Sequence, residues 1–181
     1  MSIRKYIGAG VILGAIATLV VSPQGTENIK QHEALRQKAY LDAVQVPTIC
    51  YGSTGNIALG HTATLEECNI RLAKDLYVTS SGVKAVLKHP VTQEQFDAIV
   101  SLTFNIGVRN ISTSSLVRKA NAGDCYGAGA EFDRWVYAKG KKLRGLVIRR
   151  ADERKLWESG CSYWIPASTV SRGSTNATGG I

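Results

Sequence analysis

The spacing of apolar residues changes several times along the chain, and each change marks an element. Tyr6 to Ser22 is uncharged and forms a continuous apolar run, with Arg4 and Lys5 just before it. From Glu27 to Lys38 the apolar residues retreat to Ile29 and Leu35, one face of a short amphipathic helix. Between Ala39 and Gly60 the strand formers Tyr40, Val44, Val46, Thr48, Ile49 and Tyr51 are punctuated by Pro47, Gly52, Gly55 and Gly60. That texture predicts a β-hairpin or a small three-stranded sheet. Thr64 with Glu67 three positions on is a capping box, opening a helix from Leu65 to about Leu87 that Gly82 could bend. Pro90 closes that helix. Thr92 to Glu94 opens another, which runs through Phe96, Ile99, Leu102 and Phe104 to Gly107. Ser112–Ala122, Cys125–Tyr137 and Leu146–Ser159 read as three more. Residues 166–181 are mostly Ser, Thr, Gly and Asn and read as a disordered tail. The fold class is α+β: mainly helical, with one small sheet lobe and a helical C-terminal lobe.

A chain of 181 residues has room for one domain or two small lobes sharing a core. Its hydrophobic content of 44% and charged content of 20% exclude wholesale disorder and collagen-like repeats. A net charge of +8 draws it to polyanions such as nucleic acid, anionic lipid or an anionic cell wall. Cys50, Cys68, Cys125 and Cys161 lack the two-residue spacing of zinc knuckles and redox motifs. Paired disulfides suit them if the chain is exported.

The N-terminus predicts export. A positive start and an apolar run make a secretion signal. As a helix, Ile7–Val21 would reach about 22 Å, short of the roughly 30 Å of bilayer hydrocarbon. Gly8, Gly10, Gly14, Ala9, Ala15 and Ala17 also give it little transfer free energy. Val20-Val21-Ser22 followed by Pro23 is a poor cleavage site. Residues 1–22 therefore read as an uncleaved segment that exports the chain and holds the membrane weakly. A cleaved signal peptide and a buried helix of a cytoplasmic domain are the other readings.

Candidate chemistry sits where the first helix meets the hairpin. Glu33 is followed nine positions later by Asp42, and Thr48 comes six after that. Extended, nine residues would span about 30 Å and six about 20 Å, so the three converge only if the chain folds back twice. The predicted helix, turn and hairpin supply both reversals. Glycoside hydrolysis needs one protonated carboxyl for the leaving oxygen and one ionised carboxylate, held apart in pKa by their surroundings. Thr48 could position the attacking water, because a hydroxyl both donates and accepts. A solvated helix acid at Glu33 and a strand-end residue at Asp42 is the plainer reading of the same spacing.

Several ordered motifs extend this reading. Glu33, Tyr40, Asp42, Thr48 and Gly52 resemble the active-site stretch of the phage-type lysozymes, glycoside hydrolase family 24. Phe104, Asn105 and Gly107 are similar to that family's Phe-Asn-x-Gly segment. Ser115 and Leu116, then Asn121, Gly123 and Asp124, resemble the segment after it. Arg134, Trp135, Gly145, Arg149, Arg150 and Glu153 resemble the last helices. The order is collinear from about Glu27 to Gly160. The short weak N-terminal segment and Cys50 two residues after Thr48 are similar to the signal-anchor-release endolysins of lambdoid phages. Three positions depart from the pattern: Ala34 and Gln45 replace glycines, and Ser53 replaces a histidine. If the hairpin turn demands a positive φ, Gln45 adopts it at some cost.

The resemblance implies a lysozyme-like domain over residues 23–165, exported to the periplasm and tethered at first to the inner membrane by residues 1–22. Its substrate would be peptidoglycan, cut at the β-1,4 bond between N-acetylmuramic acid and N-acetylglucosamine. Glu33 would be the general acid, Asp42 the acid/base or electrostatic partner, and Thr48 the residue positioning water. Inversion is the expected outcome, with carboxyl groups about 6.5–9.5 Å apart. Phe104 and Ser115 would line the cleft, core packing being the plainer reading of Phe104. Arg149 is a candidate partner for Glu33, and a solvated cation is the alternative. No metal or organic cofactor is expected. Release would follow a holin's collapse of the membrane potential. Residues 1–22 contain no cysteine for thiol exchange. Three disulfide pairings are open. Cys50–Cys68 with Cys125–Cys161 keeps each bridge within one presumed lobe. The basic cluster at Lys139, Lys141, Lys142, Arg144, Arg149, Arg150, Arg154 and Lys155 suits anionic wall polymers, and it has no nucleic-acid motif. A catalytically inactive wall-binding protein and a membrane-tethered secretion factor are the rival functions.

Overall fold

The computed structural model describes residues 16–42 and 45–163. Helix α1 (Pro23–His32) begins where Pro23 follows Ser22, whose side chain accepts from the Gly25 amide at 2.9 Å. It ends at Glu33, whose N–H donates to the Ile29 carbonyl at 3.0 Å. The helix is shorter than the periodicity predicts, and Arg36–Lys38 is strand. Beyond Glu33 the chain pairs as β1 (Arg36–Leu41), β2 (Pro47–Cys50) and β3 (Ser53–Thr54), an antiparallel sheet in that order. The other edge of β1 is covered by the segment after β3: Ala39 N–H donates to the His61 carbonyl and Ala63 N–H to that of Gln37, each at 2.8 Å.

The β1–β2 turn closes through Asp42. Its N–H donates to the Val46 carbonyl at 3.0 Å, and its carboxylate accepts from the Val46 N–H at 2.9 Å. Gln45 sits there at φ 64°. A residue with a Cβ adopts this left-handed region at a cost of about 1–2 kcal/mol, which a glycine avoids.

Helix α2 (Leu65–Val86) starts with both hydrogen bonds of the predicted Thr64–Glu67 capping box. Gly82 does not break it. A Cβ at Gly82 would stand 2.6 Å from the Val108 side chain, so the glycine lets the short helix α4 (Val108–Ser112) approach. Helix α3 (Gln93–Ile106) has a second capping box at Thr92 and is buried continuously from Gln95 to Thr103. It is the central post of the domain. Against it pack α1, α2, α4 and α7 (Arg144–Ser159), while α5 (Ser115–Asn121) packs on α6 (Cys125–Ala130) and α6 on α7, with Trp157 fully buried beside Phe132.

The helix predicted over Ser112–Ala122 is split, because the Ser114 hydroxyl accepts from the Val117 N–H at 3.1 Å and starts α5 anew. The helix predicted to reach Tyr137 stops in a 3-10 turn at Glu131–Arg134. A hairpin of β4 (Tyr137–Ala138) and β5 (Lys141–Lys142) follows, turned by Lys139 at φ 49° and Gly140 at φ 75°.

Residues 16–22 pack on this body. Ile16 is buried, Leu19 and Val21 rest against the core, and Lys84 Nζ donates to the Ala17 carbonyl at 3.0 Å. The remainder of the predicted anchor and the tail beyond 163 lie outside the described residues. Among the described residues no helix is long and apolar enough to cross a membrane.

Of the three open pairings, the structure forms Cys50–Cys68 and Cys125–Cys161. The first ties β2 to α2, and the second ties α6 to the turn after α7. They close loops of 18 and 36 residues, each constraining the unfolded chain by about 3–4 kcal/mol. Reduction is therefore expected to lower the denaturant midpoint markedly. Chemical unfolding with and without a thiol reductant measures this.

Candidate active site

Glu33 is positioned by the end of α1 and by α7. Its Oε1 accepts from Arg149 Nη1 at 2.6 Å, and its side chain is 21% exposed while that of Arg149 is 4%. The pairing considered from sequence is thus present. Arg149 is held in turn: its Nε donates to Glu153 Oε1 at 3.0 Å and its Nη2 to the Ser101 carbonyl at 3.1 Å. Glu153 Oε1 also accepts from the Ser101 hydroxyl at 2.6 Å and from Arg150 Nη2 at 2.8 Å. Arg150 Nε lies 2.7 Å from Glu153 Oε2, and its Nη1 donates to Asn105 Oδ1 at 3.2 Å.

Two carboxylates and two guanidiniums therefore alternate in the interior behind Glu33. Burial pushes the Glu153 carboxyl up and the Arg150 guanidinium down, while each partner's charge opposes its shift. Burial, then the Arg149 cation, holds His32 below its ordinary 6.5, so the imidazole beside Glu33 is neutral at neutral pH. A cavity of about 420 Å³ adjoins this group between α1, α3 and α7, lined by His32, Asp97, Ser101 and Glu153 among others.

The hairpin carries the other two candidates. Tyr40 is the cross-strand partner of Thr48, and Asp42 stands two residues beyond Tyr40, so the period of a strand gives all three one face. A Cβ on Gly52 would lie 3.9 Å from Glu33 Oε2, which puts the Glu33 carboxylate at the Gly52 end of the hairpin. Asp42 is bonded to Val46 at the opposite end. Thr48 lies between them along β2. It is 4% exposed, and its hydroxyl donates to the Val46 carbonyl at 3.0 Å. Ser53, also buried, donates to Asp75 Oδ2 on α2 at 2.6 Å and so fixes β3 to that helix.

Phe104 and Ser115 sit on other elements, α3 and α5. Phe104 is half-buried against the core near the end of α3. Ser115 lines a separate depression of about 370 Å³ with Asn110, Thr113, Glu131, Arg134 and Trp135. There Lys119 Nζ donates to Glu131 Oε1 at 2.6 Å and Arg134 Nη1 to Oε2 at 3.2 Å. The Lys119 hydrogen bond chiefly holds the Glu131 carboxyl below 4.5 against the push of burial.

Sequence reasoning did not single out Ser101 or Asp75. Asn105 and Glu153 entered it only as motif letters, and Arg150 as a motif letter and a member of the basic cluster. The i, i+3 and i, i+4 spacing of Arg149, Arg150 and Glu153 was the available sign of an ion-pair cluster. Among the described residues no three His, Cys, Asp or Glu side chains are grouped to hold a metal ion.

Two outcomes follow from these contacts. Arg149→Ala leaves Glu33 without its cation and Glu153 with Arg150 alone, and is expected to lower the unfolding free energy by about 3 kcal/mol, with Arg149→Lys recovering part of it, by denaturant titration. The Glu131 carboxyl is depressed, so its stabilising contribution is full above 4.5 and is lost as pH falls through its lower folded value. Glu131→Gln is therefore expected to cost about 1 kcal/mol or less at neutral pH, a deficit that closes in acid melts.

Comparison with known proteins agrees with this architecture. The phage lysozyme family profile matches residues 30–153. The SAR-endolysin of Enterobacteria phage P21 is 38% identical over 159 residues, covering 86% of this chain and 94% of that protein. The endolysin of Acyrthosiphon pisum secondary endosymbiont phage 1 is 42% identical over 143 residues, covering 77% and 98%. Among solved structures, the muramidase domain of SpmX from Asticaccaulis excentricus superposes with a TM-score of 0.73 at 34% identity, covering 77% of this chain and 97% of that one. P22 lysozyme superposes at 0.70 with 33% identity, covering 78% and 99%. With the profile spanning well over half of the sequence, the chain belongs to the phage lysozyme family, as a glycoside hydrolase of the endolysin type.

Proposed function

We propose that this endolysin is an N-acetylmuramidase that cuts the β-1,4 bond between N-acetylmuramic acid and N-acetylglucosamine of peptidoglycan, with inversion. One observation carries the reading: Glu33, gripped by Arg149 at 2.6 Å, faces one end of the hairpin whose other end carries Asp42, with Thr48 between them. Glu33 is the general acid, giving its proton to the glycosidic oxygen as the bond breaks. Arg149 holds that carboxyl in place and supports the negative charge left on it. Asp42 is the ionised partner that balances positive charge on the sugar ring or takes the proton from water. Thr48 donates to the Val46 carbonyl, so its lone pairs are free to accept from a water and turn that water's own lone pair outward. Phe104 and Ser115 extend the sugar-binding surface away from the reacting bond. No cofactor takes part in these steps.

The chain is exported to the periplasm, with residues 1–22 as a weak inner-membrane tether, residues 23–165 as the lytic domain and residues 166–181 as a C-terminal tail. Residues 16–22 rest on the domain in this structure and cannot lie in lipid at the same time, which supports two alternative places for them. Release follows loss of the membrane potential through a holin. The exposed side chains Lys139, Lys141, Lys142, Arg144 and Lys155 concentrate the released enzyme on anionic wall polymers and are not a nucleic-acid site, whereas Arg149 and Arg150, grouped with them from sequence, are buried in the charge cluster.

Zymography on purified peptidoglycan tests the assignment. A clearing band that disappears in Glu33→Gln, with new reducing ends on muramic acid, is the expected result. A wild-type chain that binds wall without clearing it overturns the enzyme reading. N-terminal sequencing of exported protein tests the tether: a chain beginning after Ser22 overturns it.

A further inference from the structure

Asp97 takes no part in the reaction just described, yet it is a carboxylate only 5% exposed and, among the described residues, has no cation paired with it. Its oxygens meet the start of α1. Ser22 donates to it twice, from its N–H at 3.0 Å and from its hydroxyl at 2.5 Å. Gln93 donates to it at 2.9 Å and to the Val20 carbonyl at 2.8 Å. The Ser22 hydroxyl also caps the helix at Gly25. A Cβ at Gly25 would lie 2.6 Å from Asp97 Cγ, so only a glycine lets α1 sit this close to α3.

Ser22, Gly25, Ile29 and Glu33 are spaced three, four and four apart and share one face across α1 and its caps. On α3, Asp97 and Ser101 are spaced four apart and share a face as well. Asp97 holds the first end of α1. Ser101 holds Arg149, which holds Glu33 at the last end. Between the two clamps Ile29 is fully buried. The helix is a rod of about 15 Å pinned at both ends to one stripe of α3.

We infer that Asp97 is a positioning residue for Glu33, acting through Ser22 and the whole length of α1. This rests on Glu33 being the general acid. A slip of α1 by one residue moves Glu33 by about 1.5 Å along the axis and turns it by about 100°. Misplacement of about 1 Å is enough to cost a rate of order one hundredfold.

The test uses the full chain in soluble form with both disulfides intact. Ser22→Ala, Asp97→Ala and Gly25→Ala loosen or crowd the same contact, and Glu27→Gln alters the exposed face of α1. Turnover is normalised to the folded fraction from thermal melts. The expected result is a kcat lowered about tenfold or more in the first three, with KM within about twofold and Glu27→Gln at the wild-type level. Ser22→Ala combined with Asp97→Ala should be no slower than the slower single variant. The carboxyl 13C resonance of Glu33 should move in the same three variants. Wild-type kcat per folded molecule in these variants, or a raised KM alone, overturns the inference. An unmoved Glu33 resonance overturns it even if turnover falls. Should the wild-type chain lack activity while that resonance moves, the positioning role stands and the hydrolase reading fails.

Discussion

Arg149 is the charge on which the site depends. Its guanidinium touches two segments that are distant in sequence, the end of α1 at Glu33 and the body of α3 at Ser101, and also its own helix at Glu153. A buried cation is tolerable only when its donors are met by acceptors and its charge by carboxylates. That requirement specifies where α1, α3 and α7 meet. Arg150 and Asn105 extend the same solution, leaving Glu33 as the more solvated end of an otherwise interior chain of charges.

The small sheet is organised differently, because its buried residues Ala39, Ile49 and Cys50 join the common core and its outer parts are held by polar contacts. Its order comes from local hydrogen bonds at Asp42, from the segment that covers the outer edge of β1, and from two ties to α2. One tie is Ser53 to Asp75, and the other is the Cys50–Cys68 bridge. Both anchor the hairpin near the Gly52 turn, where the Glu33 carboxylate meets it. The site therefore has a charge-locked wall on the helical side and a hairpin wall pinned from behind. A glycosidase whose two carboxyl groups must keep a fixed separation benefits from such rigidity.

The N-terminal residues join these two themes. Lys84, Gln93 and Asp97 receive residues 17–22 through backbone and side-chain hydrogen bonds. The same helix that starts there ends at Glu33. The boundary between the predicted tether and the lytic domain is thus mechanically continuous with the proposed general acid.

The sequence by itself determined what depends on near neighbours. The capping boxes at Thr64 and Thr92, the stop at Gly107, the three-stranded texture after Ala39 and the offsets of Glu33, Asp42 and Thr48 are all local chemistry, and the family motifs extended them. Local pattern misjudged the end of α1, the split at Ser114 and the Tyr137–Lys142 hairpin, where short polar side chains and a Lys-Gly turn compete with helix over a few residues. Only the tertiary structure decided which cysteines pair and that Arg149 is buried against Glu33. It also decided that Ser53 finds Asp75 and that Asp97 holds Ser22. Each of these contacts joins residues 18 or more positions apart; the disulfides are fixed by which thiols the fold brings within bonding reach, and the others by the need to satisfy a buried charge or polar group, neither of which spacing along a chain can express.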